Sequence, residues 1–378
     1  LRANTPAKKL LDTIHIAMHG YPVHAADLTL KKIRIEFLLP SIDEEAGTVQ
    51  ATCTDGKFFV TAWCDAEVHE EGEGLFQSRE IISFLKRQNP DQQVSFETEQ
   101  VPDMTSGKIV ISGQDIATAE IWNGEYFPRL DKPKPIGQFI LTDEGLKTLL
   151  VVGVPTSERS EKKFLPNTRC VSVCQIENVV CLSTAAIRYA AVETSGIGEP
   201  VPPKGLLAPI RYLKMAKRAT GVNVVGYTEG HMLMEGKDCW SRFPTDGDGR
   251  AQNPHKFIHY IEPPIAEVSF GLDILDVLEL CQTFGGKLSS AQFEYHTEGY
   301  ILIKTFIDTM TGRKVPATPG QPDWTENFSA SYMLGALRDV GLDAKVRILP
   351  SQKGLWARVS NGNRHHIFMS MVPPKGQH

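Results

Sequence analysis

Four cations in one short stretch are the first candidates for chemistry. Arg211, Lys214 and Arg218 fall at i, i+3 and i+7 of PIRYLKMAKRA, with Lys217 adjacent, so a helix there carries a strongly positive face. Lys8, Lys9, Arg79, Lys86, Arg87, Lys147 and Arg338 sit on other stretches with helical periodicity. Ammonium and guanidinium groups on helix faces contact phosphates without reading bases, and that contact weakens with salt. One such helix reads as an ordinary solvated face; several in repeated positions point to a polyanion. The stretch Gly271–Phe284 is the exception, because Asp273, Asp276 and Glu279 make it a poor surface for phosphates.

The other reactive side chains form weaker patterns. His15 and His19 stand four apart on a helical stretch, the spacing of a two-histidine metal site, but Ile16 occupies the place of the glutamate in the protease motif. Cys170, Cys174 and Cys181 lie on strand-like segments and read as core thiols. His365 and His366 point to opposite faces of a strand, which defeats joint ligation. Asp55 could be paired with Asp65, yet Asp55-Gly56 is more simply a hairpin turn. Gly-Lys pairs at 56–57, 107–108, 236–237 and 286–287 lack the spacing of a phosphate loop. The expectation is no catalysis, no metal and no cofactor.

The basic stretches sit inside a repeated order of elements. SREIISFLKRQ reads as a helix that Ser78 can cap, with Ile81, Ile82 and Leu85 as its apolar stripe and Asn89-Pro90 as its stop. QVSFETE, GKIVISG and IATAEIW follow as strands and run into Gly124–Pro128. Gly107–Asp115 matches Gly230–Asp238, 123 positions later, and Phe127-Pro128 is answered by Phe243-Pro244. Gly354–Val359, after the helical stretch SASYMLGALRDV, is the third occurrence. Thr5–His19, a stretch from Asp143 capped by Thr142 or Asp143, and GLDILDVLELCQTF complete the helices. An α+β fold follows: three similar domains, at 1–132, 133–261 and 262–378, each with two helices on largely antiparallel sheets.

Bulk properties narrow the class. The 378 residues carry a net charge of −5, which excludes a globally basic nucleic-acid binder but not a basic face. No run of 18 apolar residues occurs, and Lys8, Lys9 and Asp12 interrupt the first stretch, so no membrane partner and no signal peptide are expected. Seven cysteines without small-scaffold spacing read as reduced thiols of a cytoplasmic protein.

Several short motifs, in order, carry a family resemblance. They are Thr54-Asp55-Gly56, the Glu70–Gly74 turn, Ser112-Gly113, Phe127-Pro128-Arg129-Leu130, Arg188-Tyr189-Ala190, Phe328–Leu337 and Met369-Ser370-Met371. On them, nearly the whole chain resembles the bacterial DNA sliding clamp, the beta subunit of DNA polymerase III. The resemblance implies three domains with helices inward, and a head-to-tail homodimer closed around double-stranded DNA. Such a ring is a non-catalytic processivity factor for DNA replication, and closing it hides exposed edge strands. The cations named above would then line the hole.

The resemblance also implies a groove for peptides of DNA polymerase and the clamp loader. Its positions here are Phe164, Leu165, Thr184, Ala186, Ile187, Arg188, Tyr189, Met369, Ser370, Met371, Val372 and Pro373. Ala185-Ala186-Ile187 replaces the family's Asp-Gly-His, and Ser370 and Val372 replace its proline and arginine. Ala117, Ala119 and Ile121 fall at the dimer seam, with alanine where related clamps place large apolar side chains, so a weakened dimer is expected. The alternative is a clamp-derived interaction scaffold, a paralogue or phage version, that does not encircle DNA.

Overall fold

Antiparallel strands dominate, and six helices among the described residues pack on them. These are α1 (Ala7–Ala17), α2 (Ser78–Leu85), α3 (Asp143–Ser157), α4 (Ile210–Thr220), α5 (Asp273–Phe284) and α6 (Ala330–Val340). The computed structural model describes residues 1–22, 27–42, 45–99, 106–122, 124, 127–157, 170–185, 188–246, 251, 264–269, 273–284, 290–304, 312–319, 322–351 and 354–371. They divide into two compact units, Leu1–Gln138 with Arg211–Thr245, and Phe139–Ile210 with Asp246–His378. The expected second repeat, 133–261, is thus shared between the units.

In the first unit a continuous sheet runs through Arg2–Pro6, Gln93–Glu99, Ser106–Ser112, Ile116–Trp122, Gly72–Phe76, Ile33–Leu38, Gly47–Thr54, Phe59–Glu70, Cys239–Pro244, His231–Glu235 and Val224–Tyr227. Alternating side chains put Ile33, Ile35 and Phe37 on one face, where α1 adds Leu10 and Ile14 and α2 adds Ile81 and Leu85. The rings of Phe37 and Phe96 meet there at 5.2 Å. Asp55 makes the expected turn: its carboxylate accepts from the backbone N–H groups of Lys57 (2.9 Å) and Phe58 (2.7 Å), and Gly56 takes a φ of 89°.

In the second unit an eight-stranded sheet runs through Leu206–Pro209, Cys170–Gln175, Val179–Ala185, Arg188–Thr194, Arg364–Met369, Gly354–Asn361, Lys345–Ser351 and Ala266–Ser269. A four-stranded sheet holds Gly312–Pro316, Tyr300–Lys304, Ser290–His296 and Trp324–Ser329. Between α5 and α6 lies a core of Ile274, Leu278, Met333 and Leu337, with Phe293 edge-on to Phe328 at 5.3 Å.

One kind of junction occurs in both units. Phe59–Glu70 pairs with Cys239–Pro244, Ala62 opposite Cys239, joining the first expected repeat to the second. Arg188–Thr194 pairs with Arg364–Met369, Ala190 opposite His366, joining the second to the third.

Two local expectations change. Ser78 is the first residue of α2 rather than its cap; Gln77 stands at the cap position, and no side chain caps there. The helix also ends at Leu85, and the chain turns through Gln88, whose side-chain oxygen accepts from Gln114 N–H at 2.7 Å. At α3, by contrast, Thr142 Oγ1 accepts from Gly145 N–H at 3.1 Å, as its sequence suggests.

Candidate functional site

The first unit carries a cationic helix surface. Lys8 and Lys9 on α1, Arg79 on α2, Lys86 and Arg87 just past it, and Arg211 and Arg218 on α4 are exposed; Lys214 is half-buried. Against them, α1 and α2 carry only Asp12 and Glu80, and α4 carries no acid. Helix α4 is held by Tyr212, whose ring stacks on Phe58 at 5.4 Å and whose hydroxyl donates to Asp55 at 3.1 Å. Phe243 closes the cluster, 6.2 Å from each ring. Burial, followed by the neighbouring Asp55 carboxylate, pushes the Tyr212 phenol up to about 12. At the end of α1, burial and then the Arg218 charge lower the His19 imidazole, so it adds no charge at neutral pH.

Lys217 does not belong to that surface. It is 9% exposed and its ammonium donates to Asn223. The reason is its position: Leu213, Ala216 and Lys217 stand at i, i+3 and i+4 and share the inward stripe of α4.

The second unit differs. Lys147 is exposed on α3, next to Asp143 and Glu144 in the first turn. Arg338 on α6 is exposed but paired with Glu279 of α5 at 2.5 Å. Asp276 and Glu279 of α5 are exposed. Among the described helix residues of this unit, the cations therefore stand beside or against acids.

Six of the expected groove positions are described, all in the second unit. Strand pairing sets Arg188 opposite Phe368 and Met369 opposite Trp356. Tyr189 lies 5.8 Å from the Trp356 ring, and the Arg188 guanidinium 5.0 Å from the Tyr332 ring. Arg188 Nε and Nη2 are buried without a hydrogen-bond partner, and burial lowers this guanidinium against the opposing fields of Tyr332 and Asp339. Ser370 N–H donates to the Leu355 carbonyl (2.8 Å), Ser370 Oγ accepts from Leu355 N–H (3.2 Å), and Met371 N–H donates to Asn327 (2.7 Å). Thr184 is buried and pairs opposite Tyr189. Phe164, Leu165, Ala186, Ile187, Val372 and Pro373 lie outside the described residues.

Behind Arg188 lies a buried polar joint that the sequence reading missed. Asp339 Oδ2 accepts from Thr148 Oγ1 at 2.6 Å and from His366 Nε2 at 3.0 Å. Burial alone would raise the Asp339 carboxyl, but those two hydrogen bonds and the nearby Arg364 leave it below its ordinary value. Burial lowers His366, so the neutral imidazole donates from Nε2 and leaves Nδ1 unpartnered. The available signal was Asp339 itself, an acid on a helix whose neighbours Ala336, Leu337 and Val340 are core.

On strand Ile116–Trp122, Ala117, Ala119 and Ile121 are half-buried on one face, and Ala119 and Ile121 pack against the core of the first unit. The strand pairs along its length with Ser106–Ser112, and on its other edge, among the described residues, Trp122 alone pairs, with Leu75. Ile116, 76% exposed, stands at the open end.

Comparison with known proteins completes the description. No protein-family model matches the chain, and no curated protein matches it in sequence. Solved structures match over its full length. A DNA polymerase sliding clamp from Pseudomonas aeruginosa is 13% identical, with a TM-score of 0.73 over 98% of this chain and 99% of that one. The Bacillus subtilis DNA polymerase sliding clamp is 15% identical, with a TM-score of 0.73 over 98% and 99%. A Helicobacter pylori beta clamp bound to a DNA ligase peptide is 12% identical, with a TM-score of 0.72 over 98% and 100%. The chain has the fold of the bacterial DNA polymerase III beta subunit sliding clamps.

Proposed function

We propose that this chain is a non-catalytic DNA sliding clamp, built of three repeats at 1–132, 133–261 and 262–378. Two copies close head to tail around duplex DNA and tether a polymerase, raising its effective concentration at the primer end. The observation that carries this reading is the cationic surface of α1, α2 and α4 on a fold that follows sliding clamps from end to end. Lys8, Lys9, Arg79, Lys86, Arg87, Arg211, Lys214 and Arg218 meet the phosphates; Lys147 and Arg338 contribute less. The open edge of Ile116–Trp122 is the seam, and its small Ala117 and Ala119 make the dimer dissociate more readily than a seam of bulky side chains would.

The groove takes short peptides of polymerase and clamp-loader partners, with Tyr189, Met369 and Met371 as apolar wall and Arg188 as the polar anchor. A peptide on the Helicobacter pylori clamp supports the analogy. The acidic α5 favours a second reading, an interaction scaffold that stays off DNA.

Retention on DNA separates the two. Opened by a clamp loader onto nicked circular duplex, the chain should stay bound through gel filtration and fall off once the circle is cut. R211E/K214E/R218E should load poorly, with the log–log salt slope reduced by about 0.9 for each lost phosphate contact. Equal loss from circular and linear DNA would overturn the ring and leave the scaffold.

A further inference from the structure

A cavity of about 460 Å³ opens in the first unit where four segments of chain converge. Asp27 starts it: its Oδ1 accepts from Thr29 N–H (2.8 Å) and Thr29 Oγ1 (2.7 Å), turning the chain into the 3-10 turn Thr29–Lys31. That turn sets Lys31 and Lys32 side by side. Tyr21 fixes it by donating its hydroxyl to the Lys31 carbonyl at 2.8 Å. Trp122, at the end of its strand, lies under the Lys32 ammonium, 3.2 Å from ring centroid to nitrogen. Arg79 in the first turn of α2 supplies a third cation, and Leu28, 70% exposed, forms an apolar lip.

Among the described residues no acid lines the cavity. Burial lowers the Lys32 ammonium, and the field of Glu120, two residues before Trp122, partly offsets that. Three cations call for an anion of more than one charge. Lys32 covers one face of Trp122, and the rest of the ring, beside Leu28, calls for something flat and apolar. A nucleotide unit offers both, and the volume suits a group of that size. In a duplex the base faces are stacked inside and cannot reach Trp122, whereas a single strand presents them.

We propose that this pocket binds single-stranded DNA, its phosphates on Lys31, Lys32 and Arg79 and one unstacked base against Trp122 and Leu28. It shares Arg79 with the duplex-facing surface, while Lys31, Lys32, Trp122 and Leu28 belong to the pocket alone, and it does not depend on encirclement. The site would hold the unpaired strand beside a primer–template junction while the helices contact the paired part.

The test is fluorescence anisotropy of a labelled ten-residue oligo-dT titrated with the full chain, beside a labelled blunt duplex. W122A should weaken oligo-dT binding at least tenfold and leave duplex binding within twofold, while W122F, which keeps a ring, retains most of the affinity. K31E/K32E should weaken the oligonucleotide and flatten its salt dependence. Leu28→Ser, on the exposed lip, carries the same test should W122A fail to fold. Unchanged oligo-dT affinity in the folded variants overturns the site. Competition by thymidine monophosphate as strong as by the oligonucleotide also overturns it, in favour of a free-nucleotide pocket. Loss of duplex binding in the parent would instead strike the clamp reading and leave this one standing.

Discussion

In the first unit Phe59–Glu70 meets Cys239–Pro244, and the helix beside that junction, α4, is held by Phe58, Tyr212 and Phe243. In the second, Arg188–Thr194 meets Arg364–Met369, and α3 and α6 are tied by Thr148, Asp339 and His366. The backbone solution is the same in both places: two edge strands pair and neither is left open. The side-chain solutions differ. Stacked rings gain from area and dispersion, tolerate small shifts, and ignore pH, since the Tyr212 phenol stays protonated up to about 12. The polar joint is directional, and Thr148 and His366 each depend on the Asp339 carboxylate for a buried partner. One junction is therefore robust, and the other is specific and conditional.

The largest blow to this contrast is Phe243→Ala. Phe243 is wholly buried, so its removal should cost about 3–5 kcal/mol, read by urea denaturation. Hydrogen exchange should show the loss in the first unit and spare Thr148 and His366; uniform loss through both units would mean the junctions are not separate. Asp339→Ala comes next. It leaves the Thr148 hydroxyl and the His366 N–H buried without an acceptor, about 1–3 kcal/mol for each, and exchange should rise around α3 and α6.

Acid sharpens the comparison without mutation. The folded His366 is lowered from its ordinary 6.5, so as pH falls below that value the unfolded chain takes up a proton that the fold refuses. The Asp339 carboxyl is also lowered, from 3.8, and its contribution is lost as pH falls through the range beneath that value. Both signs agree: stability of the second unit declines from pH 6.5 downward. Arg188, Arg364 and His365, which face the pair, add repulsion once His366 is charged. In the first unit His19 and His231 are also lowered but lie nearer solvent, so its loss is smaller. Asp339→Asn should remove the part of the decline that lies below pH 3.8 and deepen the part that begins at 6.5, because the Asp339 carboxylate is what holds the His366 imidazole up against burial. The smallest effect is Tyr212→Phe, about 0.5–1.5 kcal/mol, because Asp55 keeps its bonds to Lys57 and Phe58. A larger cost would mean that the hydroxyl, not the ring stack, holds α4.

Local signals in the sequence carried well. Gln93–Glu99, Ser106–Ser112 and Ile116–Trp122 are strands almost to the residue, because short runs of alternating apolar and polar residues mark them. The turn at Asp55 and the cap at Thr142 follow from side-chain chemistry within three residues. Lys217 was legible and misread: its helical spacing from Leu213 puts it inward whatever its charge. The buried joint was not legible, since Thr148 and Asp339 stand 191 positions apart and nothing local announces their pairing. The same holds for Lys32 and Trp122, which only the sheet brings together. The doublet His365-His366 suggests only the question of a metal ligand, and a buried helix acid as the partner of His366 needs the tertiary fold.

The strand pairing in the first unit also sets a schedule. Ala62 and Cys239, which face each other in the finished sheet, are 177 positions apart in the chain. At about 5–20 residues per second, synthesis puts roughly 10–35 s between their emergence. For that interval the Phe59 end of its strand is an unclaimed edge on a nascent chain, open to pairing with a neighbour on the same message. The exposed Lys57 beside it, on the turn, puts a charge next to that waiting edge.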